Sequence, residues 1–333
     1  MTMKPFGRFN AFRYFSALCV AAALLLAIPA LSYLNEYTGQ TPDHWDFAAF
    51  PVTYSINPNV GSNIKGGSTA AVAVIQSSFD TWNTSPNAAV NITNTGSSSA
   101  TSNGNDGVNL VCFVCPGDYS KDSTTLAVTW TTIADAVGEN TGHGTRSTFA
   151  GQIFDADILF NPNVQWTTSG TPTDPEEDLQ TVATHEIGHF LGLDHSAVVR
   201  AVMYPFAPPV LTTLSYDDVA AISSIYPKAT PDFPTGSITG NVKFTSGTPV
   251  FGAHVFADST DNTAVAWPNI RKSTISALTK TDGTYSITGV PAGNYTVGAE
   301  PLDLPVTNSD IKDYSTNFAG RSSIDTVFNT RWH

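Results

Sequence analysis

Eleven consecutive residues constrain this chain more than any other stretch: His185-Glu186-Ile187-Gly188-His189-Phe190-Leu191-Gly192-Leu193-Asp194-His195. Histidines at i and i+4 sit one turn apart on the same helix face. Their imidazoles can converge on one ion. Glu186 is offset around the helix from that pair, so it can act as general base on a water at the metal without being a ligand. Gly192 suits the position of positive φ that ends a helix. The chain can then turn back and bring His195 to a third ligand position. Three neutral imidazoles with a fourth position left for water describe a catalytic zinc site. With 7 histidines and 25 glycines in 333 residues, chance would give this pattern in well under roughly one in ten thousand such chains.

The flanks predict how that segment is held. Asp174 reads as an N-cap, Pro175 as the first helical residue, and Glu176, Glu177 and Asp178 as acids complementing the helix dipole. Leu179, Val182, Ala183, Ile187 and Leu191 mark the buried stripe. A further helix is expected from Ser215 to about Tyr226, with Ser215 and Asp218 as a capping box. Upstream, Val72, Ile75, Phe79 and Trp82 predict an amphipathic helix over Ala70 to Trp82. Strands are expected at 51–56, 89–93, 108–114 and 125–131. Another is expected over Ile153 to Phe160, at or near a sheet edge. Between them, Thr95 to Gly107 reads as a long loop, either functional or braced by a metal.

Residues 1–32 read as an export signal. Lys4, Arg8 and Arg13 precede an apolar run from Phe15 to Leu31, and Ala30-Leu31-Ser32 predicts cleavage after Ser32. The alternative is an uncleaved membrane anchor, since the run nearly spans a bilayer. Removing the leader leaves 12 basic against 28 acidic residues, a net charge of −16. That excludes nucleic acid as a partner. Of the remaining cysteines, Cys112 and Cys115 predict a local disulfide in an oxidising compartment. A zinc knuckle would need a second ligand pair close by, and a redox motif would need a βαβ context.

The extended motif resembles the metzincin zinc peptidases. Ala201-Val202-Met203-Tyr204-Pro205 looks like their Met-turn, with Met203 as an apolar floor under the zinc. Ser196 directly after His195, the short gap to Met203, and Leu214-Ser-Tyr-Asp-Asp218 resemble the matrixin branch. The resemblance covers roughly Trp45 to Pro227 and implies hydrolysis of protein or peptide substrates, with residues 206–213 walling the primary specificity pocket. It departs from animal matrixins in two respects. No cysteine lies between the leader and Cys112 to serve as a latency switch. Outside the motif only His44, His143, His254 and His333 remain for a second, structural zinc. By analogy, Asp155 and Asp157 are candidate ligands of a structural calcium, against a reading as solvated loop acids.

After the linker Ala229–Gly236, strand and turn signals recur at short intervals. Gly240-Asn-Val242, Gly247-Thr-Pro-Val250, Thr281-Asp-Gly-Thr-Tyr285 and Gly289-Val-Pro-Ala-Gly-Asn-Tyr295 resemble the carboxypeptidase regulatory-like (transthyretin-like) sandwich. The expected fold class is α+β: a metzincin domain with a twisted mixed sheet and three main helices, then a small all-β sandwich. Boundaries are 33–228 for the peptidase domain, 229–236 for the linker and 237–305 for the sandwich. The tail, 306–333, shows few core residues and is either unassigned or its last strands. The expected function is a secreted, monomeric zinc endopeptidase. Its alternatives are a non-catalytic adhesion or binding protein on the same fold, and a metal-dependent hydrolase of a non-peptide amide. The second domain is open to binding a surface, a glycan or a protein, or to serving as a spacer.

Overall fold

The computed structural model describes residues 35–39, 41–115, 124–142, 144–208, 210–261, 273–311, 314–315 and 323–332. Residues 1–32, expected above to be an export signal, and residues 143 and 333 lie outside them. Among the described residues no helix is long and apolar enough to cross a membrane.

A two-residue strand, His44–Trp45, joins five longer ones in the six-stranded main sheet: β1 (Val52–Ile56), β2 (Ile92–Ser97), β3 (Leu110–Cys112), β4 (Ala127–Ile133) and β5 (Gln152–Phe160). The order of the longer strands is β4-β5-β3-β1-β2, and only β4 runs antiparallel. β5 is thus one strand in from the edge, as its alternating pattern predicts. β2 starts three residues later than the apolar run at Ala89 suggests and extends to Ser97. The long loop accordingly begins beyond Ser97.

Two helices pack on this sheet, α1 (Gly67–Asn83) and α2 (Leu179–Phe190), and a third, α3 (Tyr216–Ile225), lies against strands of the second domain. α1 buries Ile75, Phe79 and Trp82, and the Trp82 indole donates to the Thr184 carbonyl of α2 at 2.8 Å. Each such large side chain taken fully from water contributes about 1.5–3 kcal/mol. The indole bond also fixes the register of α1 against the helix that carries the motif.

The start of α2 differs from the sequence reading. Glu176–Asp178 is a short strand, parallel to Gln165–Thr167, and the helix begins at Leu179. Asp178, not Asp174, is the N-cap: its Oδ1 accepts from the Thr181 amide at 2.9 Å and the Thr181 hydroxyl at 2.8 Å. Glu176 instead meets Lys65 Nζ at 2.9 Å and the Thr173 hydroxyl. Of the acidic run, Glu176 therefore serves an exposed ion pair and only Asp178 serves the helix start.

The second domain is a two-sheet sandwich. β6 (Thr235–Asn241) pairs with β9 (Thr284–Pro291). The other sheet has the order β8-β7-β10-β11, from β7 (His254–Ser259), β8 (Ile275–Leu278), β10 (Tyr295–Glu300) and β11 (Arg331–Trp332). The tail is better anchored than its composition suggests. Its Val306, Ile311, Tyr314 and Ile324 are buried with Phe251 and Leu278 of the sandwich, and with Tyr37 and Tyr204 of the first domain. The linker is also tied down, for Asn87 Oδ1 accepts from the Asp232 amide at 2.7 Å. Tyr216 at the start of α3 is buried and donates its hydroxyl to the Gly289 carbonyl at 3.0 Å. The two domains therefore share one buried apolar cluster.

Candidate metal centre

α2 ends where the sequence places its stop. Leu191 is the C-cap, and Gly192 follows with φ +90°. The reversal carries His195 back over the helix. The ligand atoms of His185, His189 and His195 all lie within 4.8 Å of one another, and the Nε2 atoms of His185 and His189 are 3.1 Å apart. Among the described residues this is the one group of three side chains able to hold a metal ion.

Each imidazole is oriented from behind. His185 Nδ1 meets the Val202 carbonyl at 2.7 Å, His189 Nδ1 the Leu193 carbonyl at 2.7 Å, and His195 Nδ1 the Asp310 carbonyl at 2.8 Å. A carbonyl only accepts, so every Nδ1 carries the proton. Every Nε2 then presents its lone pair to the centre. Burial, with repulsion from His195, pushes His185 down to about 3, which keeps it neutral. Three neutral imidazoles converging through Nε2 fit a zinc ion.

Glu186 is buried beside the triad, and burial pushes its carboxyl up to about 7, opposed by one hydrogen bond. That bond comes from Thr129 of β4, whose hydroxyl donates to Glu186 Oε2 at 2.6 Å. A divalent cation at the triad would pull the carboxyl back down. The sequence reading missed Thr129, since an alternating strand gives no sign of which hydroxyl faces another element. A hydrogen bond to a charged group contributes about 1.5 kcal/mol or more, which is about tenfold in rate. Thr129→Val is therefore expected to lower kcat/KM roughly tenfold with metal content unchanged. Unaltered kinetics would show that Thr129 does not orient the carboxylate.

Met203 lies under the triad, packed so closely against Gly188 that a Cβ there would strike its sulfur. Asp218 holds this turn. Its Oδ2 accepts from the Val202 amide at 2.8 Å and its Oδ1 from the Met203 amide at 3.1 Å. The same carboxylate closes the capping box on the Ser215 amide at 2.7 Å. The cap is legible in the sequence; the clamp on the turn is not. Tyr204 points away into the apolar cluster with Tyr37.

Asp155 and Asp157 both reach the long loop between β2 and β3. Asp157 accepts from the amides of Gly104 and Leu110, and Asp155 from that of Gly107, at 2.8–2.9 Å. These bonds brace the long loop, and among the described residues no third side-chain ligand joins the pair in a metal-holding group. Burial pushes Asp155 up to about 6 and Asp157 up to about 7. Both folded-state values exceed the unfolded value of 3.8. The folded chain thus holds these protons more tightly, and that stability is lost as pH rises from about 4 through 7. Asp157→Asn is expected to flatten this fall in melting temperature. It should also cost about 1–3 kcal/mol, because one amide loses its acceptor. Parallel pH profiles for the two proteins would refute the assignment.

Cys112 and Cys115 are joined as a disulfide at the end of β3. His44 stacks on Phe149 with Nδ1 on the Pro42 carbonyl, and His254 pairs with Glu300. Neither stands in a second metal group among the described residues.

A helix carrying two candidate ligands and the acid, a glycine reversal to the third and a methionine packed against the helix have the arrangement of a metzincin-type metal centre. Comparison with known proteins narrows the class. Residues 123–227 match the matrixin family model, and residues 237–309 match that of the carboxypeptidase regulatory-like domain. Metalloendoproteinase 1 of Glycine max is 40% identical over 98 residues, covering 28% of this chain and 30% of that protein. Karilysin of Tannerella forsythia is 38% identical over 77 residues, covering 23% and 16%. Stromelysin-1 of Mus musculus is 34% identical over 142 residues, covering 38% and 29%. The chain thus spans less than a third of the length of these relatives. Residues 123–227 thus resemble a matrixin-like metzincin domain, followed by a carboxypeptidase regulatory-like domain at 237–309.

Proposed function

We propose that this chain is a zinc-dependent endopeptidase, exported from the cell, that hydrolyses peptide bonds with Glu186 as general base. The observation that carries the reading is the convergence of three Nε2 atoms beside a buried, unliganded carboxylate. Zinc bound there would supply Lewis-acid polarisation of the scissile carbonyl and lower the pKa of water. Glu186 takes the proton of the attacking water and delivers it to the leaving amine nitrogen. Thr129 holds Glu186 in place between these transfers. Among the described residues β4 has a partner strand on one side only, so its other edge can pair with the backbone of an extended peptide. Backbone pairing needs no charge on the substrate, which suits the acidic protein.

Casein cleavage should be abolished by phenanthroline and restored by zinc. Cleavage that persists in the chelator would overturn the reading. Export is supported by the leader and by the Cys112–Cys115 bridge, which belongs to oxidising compartments. N-terminal sequencing of exported protein should begin at Tyr33; a start at Met1 would favour the anchor.

A further inference from the structure

The third histidine is oriented differently from the other two. Val202 and Leu193, which serve His185 and His189, belong to the same short stretch as the ligands. The carbonyl that serves His195 comes from Asp310, 115 residues away and beyond the sandwich strand β10. That carbonyl is held in a closed turn. The Asp310 carboxylate accepts from the Thr307 amide at 2.7 Å and the Thr307 hydroxyl at 2.8 Å, and the Asp310 amide returns to the Thr307 carbonyl at 3.0 Å. Buried side chains anchor the turn on both sides: Val306 before it, Ile311 and Tyr314 after it. Tyr314 stacks on Phe251 and donates to the Thr279 carbonyl at 3.1 Å. A second tie grips the residue after His195. Asp217 accepts from the Ser196 hydroxyl at 2.6 Å and from the Ser276 amide of β8 at 2.8 Å.

We propose that the Thr307–Asp310 turn is a built-in part of the metal centre, with Asp310 as a positioning residue that sets the tautomer and direction of His195. The C-terminal domain is then neither a spacer nor only a binding module, since the affinity for zinc depends on it. The inference rests on the triad being a zinc site. Loss of such a partner behind a metal-ligating histidine weakens metal binding about 10–100-fold.

The test uses full-length protein, with zinc affinity measured against a competing chelator and the visible spectrum of the cobalt-substituted form as second readout. Asp310→Ala opens the turn and should weaken zinc binding at least tenfold and shift the cobalt bands. Asp310→Asn keeps an acceptor for the Thr307 amide and should stay within about threefold of wild type. Asp303→Ala, which removes an exposed charge nearby, should change nothing. Thr307→Val, a milder opening of the same turn, gives the answer if Asp310→Ala does not fold, and should weaken binding in the same direction. Wild-type affinity in the folded turn-opening variant would overturn the proposal. So would equal weakening by Asp310→Asn and Asp310→Ala, which would point to charge alone. A wild-type protein that binds no zinc would instead remove the site reading itself, a separate outcome.

Discussion

Glu186→Ala is expected to lower kcat for a peptide substrate by about 10²–10⁴-fold while the protein still binds zinc. The two halves of that result come from one geometry. Glu186 shares the helix with His185 and His189 but is not one of the converging ligands. Its removal therefore takes away the group that moves protons and leaves the three imidazoles with their backing carbonyls intact. Glu186→Gln keeps the shape and the bond from Thr129, yet cannot accept a proton, so it should be nearly as inactive. Retained proteolysis in either variant would remove the general-base role. Loss of zinc in both would mean that the carboxylate is a ligand after all.

Gly192→Ala should damage the fold more than any other single methyl group in this region. At φ +90° an alanine already costs about 1–2 kcal/mol. A Cβ would also run into the backbone carbonyl of Asp43, which cannot rotate aside as a side chain can. The Asp43 segment is fixed in turn, since the Asp43 amide donates to the Glu36 carbonyl and the Glu36 amide donates to the Gly192 carbonyl at 2.9 Å. The combined cost should exceed about 4 kcal/mol, a large share of the 5–15 kcal/mol that holds a typical protein folded. Melting should fall by roughly 10 °C or more, and what folds should bind zinc poorly because His195 is displaced. Gly170→Ala is the matching control. It also has positive φ, but nothing lies within 4 Å of its Cβ, so only the backbone term applies. Equal effects at the two glycines would show that the Asp43 contact is unimportant.

The metal site was the most legible part of this chain because its information is local. One helical turn separates His185 from His189, a glycine follows the helix C-cap, and the capping box of Ser215 and Asp218 lies within a single turn. The helix start was less legible. Asp174 and Asp178 both satisfy the chemistry of an N-cap, and the choice falls to Asp178 through pairing with Gln165–Thr167, a contact between separate segments. The same limit hides Thr129 behind Glu186 and Asp218 behind Met203. It also hides the contacts of Asp155 and Asp157, which take loop amides from about fifty residues upstream. The tail is the extreme case. Val306, Ile311, Tyr314 and Ile324 have no periodicity to declare them, because they fill a cleft between two domains rather than one face of an element.

Metal content measured on the intact protein tests the central claim most directly. Native mass spectrometry of the wild-type chain should show one zinc ion per molecule, and His189→Ala, otherwise folded, should show none. A wild-type chain without zinc, or a folded His189→Ala that keeps its ion, would contradict the account.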